Sequence, residues 1–219
     1  MKDFNKDSLI KTAKPILFNR EMVEAILNNK KKATRRTVKF KGNKNPNWSG
    51  YAKDGLILYN GNNEPCNIPP QFKVGDILYV RETWIVQSGY PAAFGFDVAY
   101  LAGKPEIRAC IFETVERYRK FVKYEDKTTW QPALFMPKEA ARIFLRITDV
   151  RLERLQELTI ADIEKEGVGC PTAYDGEIID YIADFAKLWN STVKKESADK
   201  YDWNANPWVY VYEFERMVV

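Results

Sequence analysis

The 219-residue chain contains no histidine. That absence excludes Ser-His-Asp and Cys-His nucleophile systems, in which an imidazole is the base. It also excludes zinc or iron sites built on histidine ligands. Cysteine is scarce: Cys66, Cys110 and Cys170 are odd in number and separated by 44 and 60 residues, which suits neither a CxxC pair, a zinc knuckle nor a disulfide framework. Reduced, packing thiols in a reducing cytoplasm are expected. Long apolar runs are missing too, since no segment approaches the roughly 20 apolar residues of a membrane span. Met1 leads into charged and polar residues rather than a signal sequence. No Gly-rich phosphate loop, paired-Asp metal motif or zinc spacing occurs, so neither a metal nor an organic cofactor is expected. The composition reads as a soluble, cytoplasmic chain without a membrane partner.

What is present is a chain able to bury a core, with 45% hydrophobic and 14% aromatic residues. At roughly 100–200 residues per domain, one elaborated domain is the expectation. The net charge of +4 is unevenly spread. Residues 1–45 hold 13 Lys or Arg against 4 Asp or Glu, a balance of +9, and the remainder holds 21 against 26, or −5. Such asymmetry points to an anionic partner for the N-terminal third, nucleic acid or nucleotide ahead of membrane.

Periodicity outlines the elements. Met22, Val23, Ile26 and Leu27 share one face of a helix over 20–29, which runs into KKKATRRTVKFK. If extended, that run sets Thr34, Arg36 and Val38 against Arg35, Thr37 and Lys39. Residues 41–70 are rich in Gly, Asn and Pro and read as loops around a strand near Leu56–Tyr59. Alternation predicts strands at 77–82, 107–113, 142–155 and 208–216. Thr159-x-x-Asp162 reads as a capping box opening a short helix closed by Gly167, and residues 176–194 carry helical spacing. Five to seven strands with two or three short helices, not strictly alternating, predict an α+β chain: a small mixed or antiparallel barrel with flanking helices rather than a doubly wound sheet.

Three sets of residues are candidates for chemistry. In Lys31-x-x-Thr34-x-Arg36, a lysine desolvated among other cations is a plausible base in a histidine-free protein. Beside it a threonine hydroxyl serves as nucleophile or orients a water, and an arginine holds a carbonyl or phosphate. The bland alternative is a solvated basic hairpin. In Glu164-Lys165-Glu166-Gly167, a carboxylate at a helix C-terminus is disfavoured by the macrodipole, which suits a proton shuttle; the alternative is an ordinary exposed helix end. Finally, Trp84, Trp130, Trp203, Trp208, Tyr210 and Tyr212 either stack bases beside the basic segment or fill the core. Arg81-Glu82 forms a structural pair or lines a pocket.

Taken in order, KPILFNREMVEAILNNKKKATRR, FKVGDILYVRETW, RIFLRITDVRLERLQELTIADIEKEGV and NPWVYVYEFER resemble the ASCH superfamily, whose domains share the PUA-like β-barrel fold. They are especially similar to the longer ASCH proteins common in phages and prophages. The resemblance covers most of the chain discontinuously, as a single domain over 1–219 with insertions around 41–70, 85–130 and 170–200. It implies RNA or modified nucleosides as partners. One branch of the superfamily consists of amidohydrolases that remove the acetyl group of N4-acetylcytidine, using a K-T-x-T-x-R motif and a later glutamate. Carried over by position, these roles fall on Lys31, Thr34, Arg36 and Glu166, with Arg81, Trp84 and Trp208 as further substrate-binding candidates. The first Thr of the motif is Lys32 here, which leaves Lys30, Lys31 and Lys32 as alternatives for the inward-facing position. A non-catalytic RNA- or nucleotide-binding module is the alternative function.

Overall fold

In chain order the elements are α1 (Lys6–Thr12), β1 (Lys14–Leu17), α2 (Arg20–Leu27), β2 (Ala33–Thr37), β3 (Trp48–Ala52), β4 (Gly55–Tyr59), β5 (Pro65–Cys66), β6 (Ile77–Arg81), β7 (Trp84–Tyr90), β8 (Gly95–Tyr100), β9 (Ile107–Ile111), α3 (Val115–Arg119), β10 (Phe144–Arg154), α4 (Ile160–Lys165), α5 (Tyr181–Thr192), α6 (Ala198–Tyr201) and β11 (Trp208–Arg216). The computed structural model describes residues 6–39, 48–52, 55–59, 62–66, 68–168 and 181–218. Cys170 and the first residues of the helix expected over 176–194 lie outside them. The class is α+β, with mostly antiparallel pairing and short helices. Among the described residues there are eleven strands and six α-helices, more than periodicity predicted. The excess lies largely where Gly, Pro and charged residues obscure the alternation. Thus QSGYPAAFGF hides a hairpin between β7 and β8, turned through Pro91–Ala93 with Phe94 at φ 51°.

The chain forms two compact units, each assembled from separated segments. The first comprises Met1–Lys32, Gly75–Ile147 and Phe214–Val219. Here β1 runs parallel to β6, and β6 pairs antiparallel with the start of β10 in the register Phe144↔Tyr79. A second antiparallel sheet has the order β7-β8-β9. Its middle strand alternates strictly enough to bury Phe96, Val98 and Tyr100 on one face. There they meet Trp84, Cys110, Phe112, Tyr118 and Met136 in an aromatic-rich core. Phe96 packs edge-on to Phe112 at 5.3 Å, and Phe112 stacks on Phe121 at 5.4 Å. Cys110 is a buried thiol in that core, as expected of a packing cysteine.

The second unit comprises Ala33–Val74 and Thr148–Glu213. Its sheet order is β10-β11-β2, with β2 antiparallel to β11 in the register Thr34↔Tyr212 and Arg36↔Tyr210. The hairpin-like sheet β3-β4-β5 belongs to the same unit. Val209 and Val211 of β11 meet Leu155, Leu158, Ile163, Phe185 and Trp189. α5 thereby buries its Phe185–Trp189 stripe at i,i+4 spacing. The Trp189 indole donates to the Tyr201 carbonyl at 2.8 Å, so its single polar atom is satisfied.

Candidate functional site

α2 opens on Asn19, whose side chain accepts from the Met22 amide at 2.9 Å, and closes at Asn28. The following turn is tied back to the helix, since the Lys30 and Lys31 amides both donate to the Ala25 carbonyl, at 2.8 and 3.1 Å. Asn29 sits in the left-handed region at φ 58°, where asparagine is tolerated. This tight exit orients three consecutive lysines differently. Lys31 is 3% exposed, whereas Lys30 and Lys32 face solvent. Within the first unit the Lys31 ammonium lies 5.7 Å from the centroid of the Phe18 ring. The side-chain direction left open by the sequence is therefore decided in favour of Lys31.

In the second unit Ala33, Thr34 and Arg35 at the start of β2 are all buried, and Arg36 is half-buried. Burial covers both faces of this stretch, so the basic run is not a solvated hairpin. Arg35 is the departure from expectation, because alternation set it on the face opposite Thr34 and Arg36 with no assigned task. Its Nη1 donates to Glu166 Oε1 at 3.1 Å and its Nη2 to Glu153 Oε1 at 2.7 Å, with Asp162 3.7 Å away. Its Nε is buried and has no hydrogen-bond partner. Arg35 thus clamps three carboxylates, and the sequence reading missed it. A signal was available: Asp149, Arg151 and Glu153 alternate along β10 and present charges to one face.

Glu166 is 8% exposed and stands at the C-terminal end of α4, while Glu164 is exposed. The helix itself is set by the anticipated capping box. The Thr159 hydroxyl accepts from the Asp162 amide at 3.2 Å, and Asp162 accepts from the Thr159 amide at 3.0 Å. Gly167 at φ 78° ends it, a conformation that favours glycine. The helix C-terminus disfavours a carboxylate at Glu166, and the ion pair with Arg35 offsets that cost. Glu166 also acts on Arg36. Burial lowers the proton affinity of the Arg36 guanidinium, and the nearby Glu166 and Tyr212 oppose that shift. Arg36 and Glu166 therefore influence one another within the second unit, and Thr34 lies two residues before Arg36 on the same strand, opposite Tyr212.

A second ring of charge braces this set. Arg151 donates to Glu213 at 2.6 Å, Asp162 at 2.8 Å and Glu153 at 3.2 Å, and Lys165 donates to Glu213 at 2.8 Å. Burial raises the Asp162 carboxyl, but hydrogen bonds from Thr159 and the Arg35 and Arg151 cations outweigh it, leaving the group below the usual range. Tyr212, opposite Thr34, accepts from the Gln71 amide at 3.0 Å and packs edge-on against Phe72.

The remaining candidates lie elsewhere. Arg81 is in the first unit, donating to the Tyr79 hydroxyl at 3.0 Å and the Leu134 carbonyl at 3.2 Å. It does not pair with Glu82, which Arg142 holds instead. Trp84 is fully buried, stacked on Phe96 at 6.2 Å and edge-on to Tyr124, so neither face is open to a base. Trp208 is 7% exposed among Val38 and Leu58, with the Arg154 guanidinium 4.4 Å from its ring centroid. Both tryptophans are buried, which is the core-filling alternative for these aromatics rather than the stacking one. Among the described residues, no group of three or more Cys, Asp or Glu is arranged to hold a metal ion, and no helix is long and apolar enough to cross a membrane. Compared with protein-family models, curated proteins and solved structures, the chain matches none of them.

Proposed function

We propose that the chain is an ASCH-type, PUA-like barrel protein that hydrolyses the exocyclic amide of a modified pyrimidine nucleoside of the N4-acetylcytidine type. One observation carries this reading. Six polar or charged side chains are buried among the described residues, and Lys31, Thr34, Arg35 and Glu166 are four of them. Burying such groups costs free energy unless they are paired, and a segment serving only solubility has no reason to meet that cost. A desolvated ammonium is also the condition under which a lysine can act as a base at neutral pH. In the roles the resemblance implies, Lys31 is the base and Thr34 the nucleophile or the group that orients a water, and the activated oxygen adds to the acetyl carbonyl. Arg36 stabilises the developing oxyanion. The C–N4 bond then breaks as Glu166 passes the proton collected by Lys31 to the leaving amine, and the free nucleoside departs; acetate leaves directly where water was the nucleophile, and after a second water hydrolyses the acetyl ester where Thr34 was.

The test is LC-MS of N4-acetylcytidine incubated with wild type, Lys31→Ala and Glu166→Gln, each first checked for folding by circular dichroism. Wild type should release cytidine, and each folded variant should lose roughly 10²–10⁴-fold in rate, as removal of a general base or acid does. Full turnover by Lys31→Ala would overturn the mechanism. The Arg35–Glu166 ion pair supports a second reading, in which Glu166 is a structural counter-ion and the chain only binds RNA or nucleotides. In that case wild type releases nothing, and RNA affinity falls steeply with salt.

A further inference from the structure

The first unit holds a cavity of about 750 Å³ whose lining includes none of Lys31, Thr34, Arg36 and Glu166. Small-molecule sites occupy roughly 300–1,000 Å³, so the space suits a ligand rather than a few waters. Ile10 on α1 and Ala109 and Ile111 on β9 give it an apolar side. Ile111 is 50% exposed there, although it sits in a strand that buries its neighbour Cys110.

The rest of the lining is charged, and mostly positive. Lys6, Lys11, Arg117 and Lys138 face Glu113 and Glu139, four cations against two carboxylates, for a local balance of +2. Arg117 is held in place before any ligand arrives. Its Nε donates to Glu139 Oε1 at 2.9 Å and its Nη2 to Glu139 Oε2 at 3.1 Å. The guanidinium also lies 4.8 Å from the centroid of the Phe121 ring. Those contacts fix one edge and one face of the group, while its Nη1 makes no bond to any described residue. The side chain is 34% exposed and lines the cavity. The Glu139 hydrogen bond outweighs the desolvation and keeps the guanidinium firmly charged. Lys138, one residue before Glu139, reaches the Ile10 carbonyl of α1 at 3.5 Å and lines the same cavity as Arg117. A clamped arginine with one open fork edge, flanked by lysines, is the arrangement that recognises a phosphate.

We infer that this cavity is a separate binding site for a small organic phosphate monoester. The near-dianionic phosphate matches the +2 lining and has three acceptor oxygens for Arg117, Lys138 and Lys11. The organic group rests against Ile10 and Ile111. A cationic ligand is repelled by this lining, and a neutral one gains no charge pairing from it.

The experiment is calorimetric titration of the full chain, in low-salt buffer free of phosphate, with phenyl phosphate, inorganic phosphate and phenol. Phenyl phosphate binds most tightly, inorganic phosphate binds more weakly, and phenol does not bind. Arg117→Lys keeps the charge but loses the fork, and Lys138→Gln removes a cation at a half-buried position. Each weakens phenyl phosphate binding about tenfold or more, the scale of one lost charge-assisted hydrogen bond, with an unchanged melting curve. Glu166→Gln leaves the affinity unaltered, which separates this site from the proposed hydrolase chemistry. Phenyl phosphate that fails to bind, that binds Arg117→Lys and Lys138→Gln as tightly as wild type, or that loses its affinity in Glu166→Gln overturns the assignment.

Discussion

The charged side chains inside this protein matter through what they are paired with. Arg142 is the plainest case: it donates to Glu82 at 2.9 and 2.7 Å, to Glu106 at 2.5 Å and to the Ala102 carbonyl at 2.8 Å, and its guanidinium lies 4.2 Å from the Tyr100 ring centroid. Burial pushes the Glu82 carboxyl upward and the Arg142 contacts pull against that, so the pair holds only as a pair. Arg142→Met alone should therefore cost about 3–5 kcal/mol, because it leaves a buried carboxylate uncompensated. Combining it with Glu82→Leu should cost markedly less, as read from urea midpoints of the two variants. Arg35 poses the same question nearer the candidate site. Arg35→Met removes one cationic partner of both Glu166 and Glu153, and a destabilisation of similar size is expected in the same measurement. Sequence alternation separates Arg35 from Thr34 and Arg36, but no local rule identifies partners that lie 131 and 118 positions away.

Among the elements, α4 shows how a short helix is held where it is needed. Six residues form too little helix to persist alone, so the capping box, Gly167 and the burial of Ile163 carry it. Thr159→Ala should cost about 1 kcal/mol in chemical denaturation. The pH dependence follows from Asp162, whose folded-state pKa lies below the ordinary 3.8. A depressed carboxyl contributes stability that is fully present above the unfolded-state value and is lost as pH falls through the folded one. The stability advantage of wild type over Asp162→Asn should thus be constant at neutral pH. It should shrink as the pH drops through 3.8 and below, followed as urea midpoints across an acid series. The same element delivers Glu166, so losing the cap should also reduce turnover of the proposed substrate. By contrast β2 needs no cap, because its register against β11 fixes Thr34 opposite Tyr212.

Across the whole molecule, neither unit is a continuous stretch of chain. The first takes three segments and the second two, and both β10 and β11 contribute residues to each. Most of the stabilising contacts are therefore distant in sequence, which favours slow folding over rapid local assembly. The last segment is small but buried, since Phe214 is 4% and Met217 9% exposed, and the Met217 amide donates to the Phe144 carbonyl at 2.9 Å. Ending the chain at Glu213 removes these apolar groups from the first unit at about 1.5–3 kcal/mol each. Such a truncation should lower the melting temperature and increase binding of a hydrophobic dye relative to the full chain.

The sequence by itself determined the local pieces: the helix over α2, the capping box and glycine stop of α4, the alternating strands expected at 77–82, 142–155 and 208–216 and found at 77–81, 144–154 and 208–216, and the two polar segments worth watching. These are legible because periodicity and capping depend on residues within about four positions of one another. Tertiary structure alone decided which of three adjacent lysines is buried and that Glu166, not Glu164, faces inward. It also made Arg35 a clamp, joined Glu82 to Arg142 rather than Arg81, and placed Trp84 and Trp208 in packing roles. The Glu82–Arg142 and Arg35–Glu166 pairs depend on strands and helices that meet across 60 and 131 residues of chain. Burial and ion pairing are properties of that meeting, and no local pattern in the sequence encodes them.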